Sequence, residues 1–256
     1  MPPAPTKPSG PRPFVYLATP CYGGMVNMFY MRSVLALQGA CEARGIGLHV
    51  DLLCGDHQIT RARARLAARF LAHRQATHLL FVDADIGFEP ANVFRLLDCG
   101  RDFVGGVCPL KSIDWDKVRA AAQAGASDLM AKSVGYVVRF IPTPDSSVEV
   151  HDGIARVAYV GTGFMMLSRS AIEQIAAAHP ELRTDLSDVE PGMTDCPMVF
   201  DTLIEPATRQ YLSEDYAFGL RWTALGGEIW ADVESRLVHV GHAAYAGSLM
   251  EAMRPG

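Results

Sequence analysis

Two aspartates one residue apart, Asp83 and Asp85, close the apolar run HLLFVDAD. If residues 78–85 form one strand, alternation turns both acids to the same face. Holding two carboxylates close together without a cation is costly, or forces one to take up a proton. A divalent ion is the natural partner, and hard oxygen ligands suit Mg2+ or Mn2+, which leave positions open for phosphate oxygens. A structural reading also stands, with one acid in a turn and the other capping the next helix. Glu214 and Asp215 make a second acid pair, just ahead of a helical pattern at 217–224. Acids there also suit a helix N-terminus for structural reasons. His239 ends the last apolar run and is followed by Val240, Gly241 and His242. A lone histidine among apolar residues is commonly core, but with two acid pairs it completes a set suited to metal-assisted group transfer.

The elements that must position these residues alternate in type. Residues 14–20 (FVYLATP), 48–54, 78–85 and 102–107 read as strands, and 25–43, 59–73 and 90–97 as helices. Short β-to-α connections imply a largely parallel sheet covered on both faces, with strand C-termini along one ligand-binding edge. The second half is less regular. Helices are expected at 115–124 and 170–178, strands at 133–141 and 154–160, and a closing strand pair around 228–240. Residues 142–152 and 183–197 carry the Pro, Gly, Ser and Asp of loops. The second loop is expected either to be mobile without ligand and order with donor and metal as part of an acceptor site, since transfer chemistry needs water excluded, or to be a static surface connection. Arg61, Arg63 and Arg65 open the second helix, where such a run commonly forms a solvated face.

Bulk properties bound the function. The 256 residues are 49% hydrophobic and 20% charged, a globular balance sufficient for one well-buried α/β domain. A net charge of -5 disfavours nucleic acid as partner, because phosphate neutralisation needs a basic surface. No apolar run has the length of a transmembrane segment, and the proline-rich residues 1–13 read as a flexible leader. The six scattered cysteines lack a Cys-x-x-Cys pair and read as reduced core residues, which fits a cytoplasmic protein.

On Thr19-Pro20 after the first strand, Asp83–Asp85, Gly161-Thr162-Gly163-Phe164, Glu214-Asp215 and His239, the sequence resembles the nucleotide-sugar glycosyltransferases of the GT-A fold, of bacterial or phage type. The resemblance covers residues 14–247. It implies a GT-A-like, Rossmann-type α/β fold, with a mostly parallel sheet flanked by helices and a smaller mixed acceptor-side region. A single catalytic domain would span 14–250. The reaction implied moves a sugar from a nucleoside-diphosphate donor of UDP or GDP type to a hydroxyl of an unidentified acceptor, glycan or lipid-linked, with Mn2+ or Mg2+. By resemblance Asp85 binds the metal, Asp83 meets the ribose or the metal, and His239 completes the metal site. Thr19, Pro20 and Tyr22 lie where the base would sit, and Arg63 approaches base or diphosphate. Ala84, Gly161, Thr162 and Gly163 lie along the donor. Lys111 and Trp115, after the fourth strand, are further donor-site candidates, with Trp115 suited to a sugar face.

The chemistry agrees with these roles. Departure of a nucleoside diphosphate builds negative charge that a cation stabilises, and an acceptor hydroxyl needs a base at neutral pH. Asp215 is the first choice for that base and Glu214 the second. In a retaining reaction Asp215 would instead orient the acceptor or stabilise the developing positive centre. Three other readings remain: a nucleotidyltransferase making sugar nucleotides, a non-catalytic nucleotide-sugar-binding module, and a methyltransferase-type domain. The first expects a basic residue in the loop after strand one, where this chain has Cys21, Tyr22, Gly23 and Gly24.

Overall fold

The structure, a computed structural model, describes residues 12–142 and 147–241. Most of the proline-rich leader, His242 and the residues after it lie outside the described residues. The first half alternates as expected: β1 (Phe14–Pro20), α1 (Met28–Arg44), β2 (Gly47–Leu53), α2 (Ile59–Ala72), β3 (His78–Val82), β4 (Ile86–Gly87), α3 (Pro90–Asp98) and β5 (Phe103–Gly106). A protruding segment follows, made of β6 (Pro109–Ile113), α4 (Trp115–Gln123), α5 (Leu129–Ser133) and β7 (Val134–Tyr136). Then come β8 (Val138–Phe140), β9 (Val150–His151), β10 (Ile154–Val160), β11 (Phe164–Ser168) and α6 (Arg169–Ala178). The chain continues through the short strands β12 (Arg183–Thr184), β13 (Cys196–Pro197), β14 (Leu203–Ile204) and β15 (Tyr211–Leu212). It ends in α7 (Glu214–Ala224), β16 (Ile229–Asp232) and β17 (Val238–His239).

Among the described residues the central sheet has nine strands, in the order β2-β1-β3-β11-β5-β16-β10-β8, with β9 beside β10. Only β11 and β10 run against the others, so the sheet is mostly parallel by direction, as expected, though mixed by pairing. Strand alternation builds a core on each face. Leu79 and Phe81 of β3 join Leu66, Phe70, Phe200 and Phe218 on one side. Leu80 and Val82 join Leu17, Leu37, Phe164 and Met166 on the other. Each such side chain contributes about 1.5–3 kcal/mol on burial.

Several boundaries differ from the sequence reading for local reasons. The strand read as 78–85 stops at Val82, and Asp83–Asp85 form a turn. The Asp83 N–H bonds Gly163 O at 3.0 Å and the Ile86 N–H bonds Asp83 O at 3.0 Å, which bends the chain into β4. The alternation argument for the two acids therefore fails, because they are not in a strand. Asn27 caps α1 by accepting from the Phe29 N–H, so the helix starts at 28, not 25. The stretch 133–141 breaks at Val137, because β7 pairs with β6 whereas β8 pairs with β10. The closing strands do not pair with each other: β16 joins β5 and β10, and β17 joins β4. No described helix is long and apolar enough to cross a membrane.

Candidate active site

Sheet topology brings the chemistry to one edge. The parallel strands β1, β3 and β5 end there at Pro20, Val82 and Gly106, and the antiparallel β11 begins there after residues 161–163. Ligands of open α/β sheets bind at such an edge. A cavity of about 510 Å³ opens at it, lined by Pro20, Arg63, Asp83, Ala84, Asp85 and Lys111, by Gly161, Thr162 and Gly163, and by Glu214, Asp215 and His239.

His239 reaches Asp85 through a two-stranded ribbon. Antiparallel pairing sets His239 against Ile86, and the Val240 N–H bonds Asp85 O at 2.9 Å. The His239 Nδ1 lies 2.7 Å from Pro109 O. A carbonyl only accepts, so Nδ1 carries the hydrogen and the ring is fixed in orientation. The Nε2 then faces Asp85 Oδ1 at 3.5 Å. Lys111, carried on β6, places its Nζ against the other oxygen, Oδ2. Burial alone would raise the Asp85 carboxyl; hydrogen bonding to His239 and Lys111, and their charge, outweigh it and bring its pKa to about 2.

This pair fits a divalent cation. Mg2+ and Mn2+ sites on nucleotides use one or two protein groups and let phosphate oxygens complete the shell. A histidine whose other nitrogen donates to a backbone carbonyl is the usual form of a metal-binding imidazole. Asp83 faces elsewhere: its Oδ1 accepts from Arg63 Nη2 at 2.9 Å. Among the described residues no three His, Cys, Asp or Glu side chains gather into a metal cluster.

The other wall is built around Arg63 and α7. Arg63 is 2% exposed and sits at 5.0 Å over the Phe81 ring. It joins Asp83 to Glu214, whose Oε1 accepts from Nε at 3.3 Å, and its Nη1 is buried without a partner among the described residues. Glu214 and Asp215 lie inside the first turn of α7, one turn earlier than the helical pattern suggested. Asp215 Oδ1 accepts from the Ser213 hydroxyl and, at 2.9 Å, from the Tyr216 N–H; Oδ2 accepts from the Tyr159 hydroxyl. Tyr159 lies flat on Tyr216, with ring centroids 3.5 Å apart. Burial and the neighbouring Asp215 push the Tyr159 phenol far above its usual range, so it stays a donor.

No family model matches the chain, and no curated protein matches it in sequence. Among solved structures it is similar to A197 from STIV, at 16% identity over 89% of this chain and 86% of that one, with a TM-score of 0.47. It is also similar to a glycosyltransferase involved in the glycosylation of the major capsid of PBCV-1, at 10% identity over 65% of this chain and 67% of that one, with a TM-score of 0.32.

Of the candidate donor, metal and base residues, three lie off the cavity wall. Thr19 is fully buried, its hydroxyl 2.6 Å from the Tyr30 hydroxyl on the α1 side of the sheet, so it has no surface to offer a base. Tyr22 is 66% exposed and meets the edge of His57. Trp115 is 70% exposed at the start of α4. The arginine run is not a solvated face: Arg63 and Arg65 are buried and ion-paired. Residues 183–197 are not among the cavity's lining. They dock on α2, where Glu190 accepts from Arg65 and Arg69. Tyr159 is the residue that sequence reasoning missed. Its place at a buried, inward position of the alternating β10 pattern was the available signal.

Proposed function

We propose that this protein is a metal-dependent glycosyltransferase that moves a sugar from a nucleoside-diphosphate sugar, of UDP or GDP type, onto an acceptor hydroxyl. One observation carries the reading: His239, fixed through Nδ1 by Pro109 O, turns Nε2 toward Asp85 in the cavity that also holds Glu214 and Asp215. When bound there with the donor, Mg2+ or Mn2+ would neutralise charge developing on the departing diphosphate. The chain's own groups divide the remaining work. Lys111 can leave Asp85 for a phosphate oxygen, since its ammonium is a mobile point charge. Arg63 keeps Asp83 and Glu214 in fixed relation, so the donor and acceptor walls move together. Asp215, which accepts from Tyr159 and Ser213, would take the acceptor proton.

The test is thermal stability across a panel of nucleoside diphosphates and nucleotide sugars, with and without Mn2+. A ligand at a hundred times its Kd stabilises the native state by about 2.7 kcal/mol. The expected result is a rise in Tm that needs nucleotide and metal together and vanishes in Asp85→Ala. A Tm unmoved by every nucleotide would end the reading, and an equal rise without metal would remove the cation from it.

A further inference from the structure

Cys21 and Cys54 each follow directly on a strand, β1 and β2, and these strands run parallel from Phe14 opposite Gly47 to Pro20 opposite Leu53. One step further sets Cys21 beside Cys54. Two backbone bonds carry the pairing past the strand ends, Cys21 N–H to Leu53 O at 2.8 Å and Gly55 N–H to Tyr22 O at 3.1 Å. Neighbouring strands lie about 4.8 Å apart. That separation falls within the Cα spacing of about 4.4–6.8 Å that a disulfide spans. Alternation gives the side chains one direction: Val15 and Leu17 with their partners Leu48 and Val50 all pack on the α1 side, and the two cysteines continue those rows. Burial raises the Cys21 pKa, and the neighbouring Cys54 raises it further. Access is unequal, for Cys54 is exposed and Cys21 is 3% exposed.

We propose that Cys21 and Cys54 form a thiol-modification site, which a low-molecular-weight disulfide such as oxidised glutathione converts to an intramolecular disulfide. The Cys54 thiolate attacks one sulfur of the small disulfide, forming a mixed disulfide and expelling one small thiolate, which takes up a proton. Cys21 then loses its proton to solvent, gives up its hydrogen bond to Met25 O and attacks the Cys54 sulfur, expelling the second small thiolate. Two protein sulfurs are oxidised and one small disulfide is reduced to two thiols, so electrons and protons balance. The second step is the slower one, because it needs a buried thiol to ionise. The site stands on strand register alone and does not depend on the glycosyl-transfer reading.

The experiment treats the fully reduced protein with oxidised glutathione over time, quenches with acid and an alkylating agent, and maps peptides by mass spectrometry. The wild type is expected to lose two alkylatable thiols, retain no glutathione at the end point, and yield one dithiothreitol-sensitive peptide joining Cys21 to Cys54. Cys21→Ser should stop at glutathione held on Cys54, and Cys54→Ser should leave Cys21 alkylatable. Cys54→Ser changes an exposed position, and it carries the comparison if Cys21→Ser disturbs packing. A wild type that keeps glutathione on Cys54 with Cys21 free, that links through another cysteine, or that does not react overturns the proposal.

Discussion

Asp215 is held by three donors, the hydroxyls of Ser213 and Tyr159 and the N–H of Tyr216. Such a carboxylate is aimed before a substrate arrives, and aim is what proton transfer in a transition state requires. Asp215→Asn keeps the shape and removes the proposed base, so nucleotide binding should persist while turnover falls by about 10²–10⁴-fold. Tyr159→Phe removes one donor and leaves the acid; the expected loss is smaller, in kcat and not in KM. Isothermal titration with nucleoside diphosphate, beside rates of nucleoside-diphosphate release from the donor, reads both. Parental turnover in Asp215→Asn would move the base to Glu214. Asp83, Asp85, Glu214 and Asp215 stood out in the sequence as paired acids, and the fold brings all four to one cavity. Tyr159 did not stand out, since its partner lies 56 positions away and only the sheet brings them together. Thr19 was misplaced for a different reason: alternation carries the Val15 and Leu17 row on through it to the α1 side, where its hydroxyl meets Tyr30.

Among the elements, the turn at residues 161–163 shows what glycine is for. A Cβ on Gly161 would stand 2.8 Å from Val137 Cγ1, and one on Gly163 would stand 3.3 Å from both Asp83 Oδ2 and Cys108 Sγ. Neither glycine is needed for a positive φ; the need is close approach between the turn, β8's leading edge and the acid turn. Gly161→Ala should therefore cost about 1–3 kcal/mol by overpacking. Val137→Ala in the same chain should recover much of it, because the clashing methyl is gone. Urea denaturation of the two single variants and the double one gives the coupling, and strictly additive losses would show that the contact is not the cause. The loop at residues 183–197 teaches the opposite lesson. Its Pro, Gly and Asp announced irregular backbone, yet composition does not reveal what a loop docks on. The complement sits on α2, where Arg65 and Arg69, one turn apart, both reach Glu190. Hydrogen exchange in this loop should be slow without ligand and unchanged by donor with Mn2+. In Glu190→Gln it should rise at least about tenfold, since hydrogen bonds to a charged group are worth about 1.5–3 kcal/mol. Strong protection appearing only with donor would restore a loop that orders on ligand binding.

Across the whole molecule, α2 acts as an ionic seam. Arg61 and Arg65 meet Asp56, Arg63 meets Asp83 and Glu214, and Arg69 meets Asp51 and Glu190. One helix thus ties β2, the acid turn, the 183–197 loop and α7 to one another, and sequence periodicity could show the arginines but not their distant partners. Asp56 is the most enclosed of those acids, with a side chain of 0% exposure. Burial pushes its carboxyl upward, but hydrogen bonds from Arg61 and Arg65 outweigh this and hold the pKa below the usual carboxylate range. A folded pKa below the unfolded value of about 3.9 contributes stability that is present above that pH. The contribution is lost as pH falls through the folded value. Asp56→Asn leaves two arginines facing a neutral group. Arg65 keeps Glu190 and Arg61 is partly exposed, so the loss at pH 7 should be that of hydrogen bonds to a charged group, about 1.5–3 kcal/mol. The difference should hold down to about pH 5 and then shrink as the wild-type carboxylate takes up its proton. Urea denaturation of both proteins between about pH 7 and pH 3 measures the gap directly. A gap that stays constant to the acid end would mean that the variant loses packing or shape, and that the charge on Asp56 contributes nothing to holding the seam together.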